Sequence, residues 1–193
     1  MNRIQNVLSV CLFALFVIMV LIRAAMLRGR GIRTIVFGRT DKSDYLLAPL
    51  LLAIAYAALA NTFGLPIWGL LIRPLWKSAS PGWAGLALCG AAVAGFTLTL
   101  VSFGDSFRVG IDEEKPDKLI TSGMFAVSRN PIYVCFLAFF TGLFLIHRNA
   151  IIAVFVILFA LTIHRQVIRE EAFLSVHYGL EYEAYRKRVR RYL

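Results

Sequence analysis

The sequence is short of acidic residues and of cysteine, and both shortages argue against familiar classes of protein. It has 11 Asp and Glu against 21 Lys and Arg, which gives a net charge of +10. In a soluble protein this balance would point to nucleic acid. Here the basic residues stand at the ends of apolar blocks, so anionic lipid headgroups are the expected counter-charge. The cysteines, Cys11, Cys89 and Cys135, all lie within apolar runs, which argues against a disulfide framework and a metal site.

Motifs of the common soluble enzymes are also missing. The three histidines, His147, His164 and His177, do not have the spacing of a zinc site, and Ser128 has no histidine near it for a hydrolytic triad. A glycine-rich phosphate loop is absent as well. We therefore expect neither a metal ion nor nucleic acid as a partner.

Apolar residues are abundant and fall in long runs. They make up 59% of the chain, with a mean hydropathy of +0.72, whereas soluble domains have roughly 45–50%. Crossing about 30 Å of hydrocarbon takes roughly 20 apolar residues in a helix. We predict an all-α integral membrane protein with about five transmembrane helices, which correspond to residues 7–22, 45–63, 82–103, 132–146 and 150–163.

Details of these runs refine the prediction. The first run is not followed by a small-residue cleavage site, so we expect a retained span. The second either ends near Pro66 or continues through it to residue 72. The third is rich in Gly and Ala, which lets neighbouring helices approach closely. Only His147-Arg148-Asn149 separates the last two runs, which predicts a tight helical hairpin.

The distribution of Lys and Arg predicts the orientation of the spans. With the amino terminus outside, 17 of the 21 Lys and Arg residues fall in the segments on the cytoplasmic side. This bias agrees with the positive-inside rule. We therefore expect a multi-pass protein with a cytoplasmic carboxyl terminus, in the cell membrane if the source is prokaryotic.

The chain reads as one membrane domain over residues 1–193, with three amino-terminal spans in residues 1–103. Residues 104–193 hold the polar segments large enough for chemistry, 104–130 and the tail 164–193. The tail is predicted to form two cytoplasmic helices that are separated at Gly179. In the second, Tyr182, Tyr185 and Val189 share one face opposite basic residues, which is typical of a helix lying on an anionic membrane surface.

One candidate for chemistry is the start of the fourth run. Asn130 suits a helix N-cap and Pro131 suits the first helical position. A helix start attracts anions, and Arg129 beside it adds a positive charge that would bind a carboxylate. The alternative is that Asn130 and Pro131 only begin a helix while Arg129 meets a lipid phosphate.

Two further features stand out in the same half of the chain. Glu170 and Glu171 follow the last run, and they either form ion pairs on a solvated helix face or include one glutamate that binds a cationic amine near the membrane. Gly123 suits a turn that needs positive φ or a close approach to a ligand.

In their order along the chain, these segments resemble the isoprenylcysteine carboxyl methyltransferases and the related phospholipid methyltransferases. The resemblance covers about residues 103–185. It rests on four segments with a helical hairpin between the second and third: Asp117-Lys118-Leu119-Ile120-Thr121-Ser122-Gly123-Met124-Phe125, Arg129-Asn130-Pro131-Ile132-Tyr133, Glu170-Glu171 and Gly179-Leu180-Glu181-Tyr182-Glu183-Ala184-Tyr185.

The resemblance implies a membrane methyltransferase with a site for S-adenosylmethionine at the cytoplasmic face and a lipophilic or lipid acceptor. Glu170 would hold the amine of the cofactor's methionine part, and Glu171 would assist deprotonation of an amine acceptor. Arg129, Arg165 and Glu171 are the implied catalytic residues. The other residues implied to surround the cofactor are Asp117, Lys118, Leu119, Ile120, Phe125, Asn130, Pro131, Ile132 and Tyr133.

The chain also departs from the family pattern. Asp117 and Asn130 stand where the family has histidine, and Phe125 stands where it has tyrosine. The arginine that contacts the substrate carboxylate in the eukaryotic enzymes would fall on Gln166, next to Arg165. Carboxyl, amine and thiol acceptors therefore all stay open.

Two other classes compete with an enzyme. The first is a non-catalytic membrane protein that binds a lipid or partner on the same scaffold. The second is a small transporter, but the first three runs have no charged residue in their middle, where an ion or proton site would be expected.

The predicted orientation can be tested with reporter fusions in a bacterial host. Green fluorescent protein fused after Leu193 should fluoresce, and alkaline phosphatase at the same place should be inactive, because the carboxyl terminus is expected in the cytoplasm. Both reporters should behave in the opposite way when fused after Arg148. The same reporter active at both positions would contradict a span between them.

Overall fold

A computed structural model describes residues 2–29, 47–67, 69, 73–103 and 119–193, and within these ranges the protein is helical, with no β-strand. Six α-helices and a short 3-10 helix, Gly123–Ala126, account for most of the described chain. The α-helices are α1 (Arg3–Gly29), α2 (Leu47–Phe63), α3 (Ser80–Phe103), α4 (Pro131–His147), α5 (Ala150–Tyr178) and α6 (Leu180–Arg188).

The first five helices alternate in direction. Ser9 at the start of α1 and Asn61 at the end of α2 both contact His147 at the end of α4. Gly85 near the start of α3 packs against Gly142 near the end of α4. The start of α4 and the carboxyl end of α5 therefore lie at the opposite end of the bundle from His147.

Three of these helices are long and apolar enough to cross a membrane: α1, α3 and α5. The other two, α2 and α4, are apolar but only 17 residues long. All five predicted runs are thus helices. At α2 the helix ends at Phe63 and Gly64 takes a φ of 71°, so the continuation toward residue 72 is wrong for residues 64–67, while residues 68 and 70–72 lie outside the described part.

The last span and the first tail helix, which the sequence predicted as separate, form one continuous helix. α5 has 29 residues, so it is about 43 Å long at 1.5 Å per residue. This exceeds the roughly 30 Å of hydrocarbon in a bilayer. The change from apolar to polar composition near His164 alters the helix's surroundings but introduces no Gly or Pro that would end it.

The predicted hairpin between α4 and α5 is confirmed. Arg148 ends α4 in the left-handed conformation with φ 44°, and Asn149 caps α5 by accepting a hydrogen bond from the Ile152 N–H at 2.9 Å. The Arg148 guanidinium donates to the Ser78 and Lys77 carbonyls. Two residues thus suffice to reverse the chain, and the Arg148 side chain together with the backbone of both residues joins the turn to residues 74–78.

The core between the helices is mainly aromatic. Phe16 of α1 stacks on Phe139 of α4 with ring centroids 4.7 Å apart and also contacts Phe96 of α3. Phe140 of α4 meets Phe159 of α5 edge to face, also at 4.7 Å. These rings are almost fully buried, so dispersion and quadrupole contacts between them hold four helices together.

A polar cluster joins three helices at the His147 end. The Asn61 amide Nδ2 lies 2.7 Å from His147 Nδ1, and Ser9 Oγ lies 3.0 Å from His147 Nε2. Since Asn61 donates to Nδ1, the proton of a neutral ring is on Nε2, which donates to Ser9, and Ser9 donates in turn to the Asn6 carbonyl at 2.7 Å. Polar contacts of this kind fix the register of helices whose other neighbours are apolar.

The close approach expected of the glycine-rich third run is found between α3 and α4. A Cβ on Gly142 would lie 2.6 Å from Cys89 Sγ and 2.7 Å from the Gly85 carbonyl oxygen. Real Cβ atoms do not come so near, so only glycine fits at this position.

Gly142→Ala should therefore force α3 and α4 apart and lower the free energy of unfolding by about 1–3 kcal/mol. Gly90→Ala in α3 is the matched control, because a Cβ there meets nothing within 4 Å. The control should leave stability unchanged or raise it slightly through better helix propensity. Thermal unfolding in detergent measures both, and equal midpoints would contradict the close packing.

Candidate functional site

The predicted site residues converge at the end of the bundle where α4 begins and α5 leaves the apolar core. Three further segments meet there: residues 119–130, α6 and residues 189–193, which we call the C-terminal segment. The site is thus built from parts of the chain that are far apart in sequence. The contacts of each segment determine where its side chains lie.

Gly123 positions the segment that leads into α4. Its φ is 62°, as expected for a turn that favours glycine. A Cβ at Gly123 would collide with the Ser102 hydroxyl and lie 2.8 Å from Ser102 Cβ. The same hydroxyl accepts a hydrogen bond from the Met124 N–H at 3.2 Å. The expected close approach is therefore to the end of α3.

Asn130 occupies the N-cap position of α4, and Pro131 is its first residue, as the sequence predicted. The Asn130 side chain, however, accepts no bond from the first turn. Its amide instead donates to Glu171 Oε1 at 3.0 Å and to the Arg191 carbonyl at 3.1 Å. The Asn130 side chain therefore does not cap the first turn, and its amide links the start of α4 to α5 and to the C-terminal segment.

Glu171 is a buried carboxylate with two arginine partners. Its residue exposure is 6%. Arg129 Nη2 lies 3.0 Å from both carboxylate oxygens, and Nε and Nη2 of Arg191 each lie 3.0 Å from Oε2. With Asn130 on Oε1, this carboxylate receives charge-assisted hydrogen bonds from three residues of two other segments.

Arg129 is also engaged on its remaining sides. Its Nη1 donates to the Val189 carbonyl at 2.8 Å and to the Arg186 carbonyl at 3.2 Å. The side chain is only 8% exposed. We expected Arg129 to meet either a ligand carboxylate or a lipid phosphate, and the carboxylate that it binds is Glu171. This geometry makes Arg129 a link between α5 and the C-terminal segment, and it does not favour Glu171 as a proton acceptor.

Glu170 lies on a different stripe of α5 and has different partners. Its Oε1 accepts from the Tyr133 hydroxyl at 2.6 Å and from Gln166 Nε2 at 2.8 Å. Gln166 Oε1 in turn accepts from Arg169 at 2.5 Å. Tyr133 belongs to the first turn of α4, so this carboxylate is held directly beside the start of that helix.

The face of α6 that was expected to lie on lipid is buried in the protein. Tyr182 is 1% and Tyr185 3% exposed, and with Val189 they pack against Leu119 and Leu174. The spacing of Tyr182, Tyr185 and Val189 therefore reflects packing against other residues of the same chain. Burial raises the pKa of Tyr185 to about 12, so its hydroxyl stays protonated and donates to the Phe125 carbonyl at 2.7 Å.

The structure brings most of the predicted site residues together. Those that meet at the start of α4 and along α5 are Arg129, Asn130, Pro131, Ile132, Tyr133, Glu170 and Glu171. Leu119 contacts the tyrosines of α6, Ile120 is half-buried next to it, and Phe125 is buried. Arg165 is exposed on α5. Asp117 and Lys118 lie outside the described residues.

Arg191 was missed by the sequence reasoning. It stands in a run of basic residues after α6 and reads there as part of a basic surface. A buried carboxylate with one arginine partner still requires more donors, but the sequence does not show that Glu171 is buried. Ser128 was likewise passed over, and its hydroxyl contacts the Arg191 carbonyl at 3.3 Å and the Asn130 N–H at 3.1 Å.

Residues 80–181 match the family model described as phospholipid methyltransferase. The match covers slightly more than half of the chain, from the start of α3 into α6, and includes Arg129, Asn130, Tyr133, Glu170 and Glu171, while Arg191 lies beyond it. No curated protein matches the chain.

The Glu171 cluster predicts a large structural cost for its loss. Glu171→Ala leaves two arginines without their carboxylate, and breaking a buried ion pair costs about 3–5 kcal/mol. Glu181→Ala, at an exposed position of α6, removes the same charge and should change stability by no more than about 0.5 kcal/mol. Denaturation in mixed micelles measures both, and equal stabilities would contradict a structural role for the cluster.

Proposed function

The chain belongs to the phospholipid methyltransferase family, and from this premise we propose that it transfers a methyl group from S-adenosylmethionine to a lipophilic, membrane-associated acceptor. Family membership makes the protein a methyltransferase, and its long apolar helices make it a membrane protein. The identity of the cofactor, the class of acceptor and the roles of individual residues are proposed.

The observation that carries the proposal is the position of Glu170 beside the start of α4. The methionine part of the cofactor carries an ammonium and a carboxylate, so its site must offer a negative and a positive group close together. Glu170 is the negative group, and the first turn of α4 provides partly positive N–H groups. The 2.6 Å hydrogen bond from Tyr133 to Glu170 joins the two.

The use of Asn130 supports the same assignment. An N-cap side chain normally accepts from the second or third N–H of its helix. Here it is directed to Glu171 and to the Arg191 carbonyl. In the proposal, the cofactor's carboxylate takes the place at the helix start that the Asn130 side chain does not fill. Tyr133 and Gln166 would hold Glu170 in place for the ammonium group.

Apolar residues around this point would surround the rest of the cofactor. We assign Leu119, Ile120, Phe125, Pro131 and Ile132 to its walls, since they stand before or within the start of α4. We also assign Asp117 and Lys118 to the cofactor site, as the family resemblance implies. Phe125 also anchors α6 through its carbonyl, which couples this wall to the carboxyl end of the chain.

S-adenosylmethionine supplies an already activated methyl group, so the protein's task is to align the acceptor with it and to exclude water. A carboxylate acceptor needs no base, whereas an amine must first lose a proton. Glu171 is bound by two arginines and Asn130, so this geometry favours acceptors that require little help with deprotonation. Arg165, exposed on α5, is the residue that we assign to the acceptor's polar group.

We further propose that all five helices cross the membrane, with the amino terminus outside and the site on the cytoplasmic side. The alternating directions of α1 to α5 support this topology. Glu170 lies 20 residues after the start of α5, about 30 Å along the helix axis. This distance equals the hydrocarbon thickness, so Glu170 would stand at the membrane surface, within reach of both a soluble cofactor and a lipid-borne acceptor.

Calorimetric titration of the detergent-purified protein with S-adenosylmethionine tests the proposal. The wild type should bind, and Glu170→Ala should bind at least about tenfold more weakly, because a charge-assisted contact worth about 1.5–3 kcal/mol is lost. Glu181→Ala serves again as the matched control and should bind like the wild type.

The possible outcomes separate the alternatives. Binding that depends on Glu170 justifies a screen of carboxyl, amine and thiol acceptors with methyl-labelled cofactor. A folded, monodisperse wild type that does not bind, with or without added membrane lipids as acceptor, would refute the enzyme and favour a non-catalytic binding protein. Binding unaffected by Glu170→Ala would leave the cofactor but refute the proposed position of its amine.

A further inference from the structure

The C-terminal segment, residues 189–193, lies across the start of α4. The Arg129 N–H donates to the Arg190 carbonyl at 2.9 Å. The Arg191 carbonyl receives the Ser128 hydroxyl at 3.3 Å and the Asn130 amide at 3.1 Å. Ser128, Arg129 and Asn130 immediately precede α4, so the C-terminal segment is hydrogen-bonded to the residues that lead into this helix.

The side chains of the segment reach α5 as well. Both Nε and Nη2 of Arg191 lie 3.0 Å from Glu171 Oε2. About two turns of helix closer to the apolar core, the Tyr192 hydroxyl lies 2.8 Å from His164 Nδ1. The C-terminal segment therefore joins α4 to α5 at the end of the bundle that carries Glu170.

The neighbouring arginine does not share these contacts. Arg190 is exposed, and its backbone carbonyl, which a side-chain substitution preserves, makes its contact with Arg129. Arg191, by contrast, is partly buried, with 38% of its side chain exposed, against a carboxylate that is 7% exposed. Two adjacent residues of the same charge thus differ in whether they touch Glu171.

We propose that Arg191 is a positioning residue of the cofactor site, acting through Glu171. Arg191 holds Glu171 Oε2, and Oε1 of the same carboxylate holds Asn130, which precedes the first turn of α4. Glu170 immediately precedes Glu171 on α5. Through this chain of contacts Arg191 sets the spacing between Glu170 and the helix start, the two groups to which the proposed function assigns the ammonium and the carboxylate of the cofactor.

The inference rests on the proposed function and is tested with the full-length chain. Arg191→Gln should weaken S-adenosylmethionine binding about tenfold, similar to the loss when partners that orient metal ligands are removed. Arg190→Gln removes the same charge one residue away and should bind like the wild type. Arg191→Lys, which keeps the charge but loses the planar fork, should recover only part of the affinity.

A double substitution tests whether Arg191 works through Glu171. If it does, Arg191→Gln added to Glu171→Gln should weaken binding no further than Glu171→Gln alone. Thermal unfolding confirms that each variant is folded, and Arg191→Lys keeps the test informative if Glu171→Gln is too unstable to purify.

The outcomes distinguish this inference from the proposed function. No binding by the wild type refutes the proposed function itself. Wild-type binding with an Arg191→Gln variant that binds equally well overturns the role of Arg191 alone. Equal weakening by Arg190→Gln and Arg191→Gln would show an effect of overall charge, and additive losses in the double variant would show that Arg191 acts independently of Glu171. Either result would also overturn it.

Discussion

The buried carboxylate of Glu171 holds the functional end of this protein together. Removing a charge from water is costly, and the cost is met only when hydrogen-bond donors surround it. Here the donors come from the residues before α4 and from the C-terminal segment. One charge in α5 thereby requires that three distant parts of the chain meet. Arg129 extends the same constraint to the carbonyls of residues 186 and 189.

The two adjacent glutamates, Glu170 and Glu171, have different partners because of helix geometry. Successive residues on a helix point about 100° apart, so Glu170 and Glu171 cannot share a partner set. Glu171 points to the two arginines, and its role is structural. Glu170 points to Tyr133 at the start of α4 and to Gln166 one turn earlier on α5. A pair that looks redundant in sequence therefore separates into a carboxylate that holds the structure together and a carboxylate to which we assign cofactor binding.

Much of the fold could be predicted from the sequence, because apolar runs, Gly64, Gly123, Gly179 and Pro131 act locally. The helices, the hairpin and the start of α4 follow from such signals. The candidate site was predictable only in part, since the resemblance to a methyltransferase family named the segments that meet at the start of α4 but not their contacts. Whether Arg129 faces lipid, a ligand or Glu171 depends on residues more than 40 positions away, and the tyrosines of α6 give the same pattern against protein as against lipid. Periodicity reports that a face is apolar and cannot identify what covers it.

The unbroken length of α5 has a mechanical consequence. A single helix carries the chain from the turn at Asn149 to the two glutamates, with no hinge between them. Transmembrane helices respond to bilayer thickness by tilting. Because α5 is one continuous helix, a change in its tilt would raise or lower Glu170 relative to the headgroups. In the proposed topology, the height of Glu170 in the membrane is thus geometrically tied to the thickness of the host bilayer.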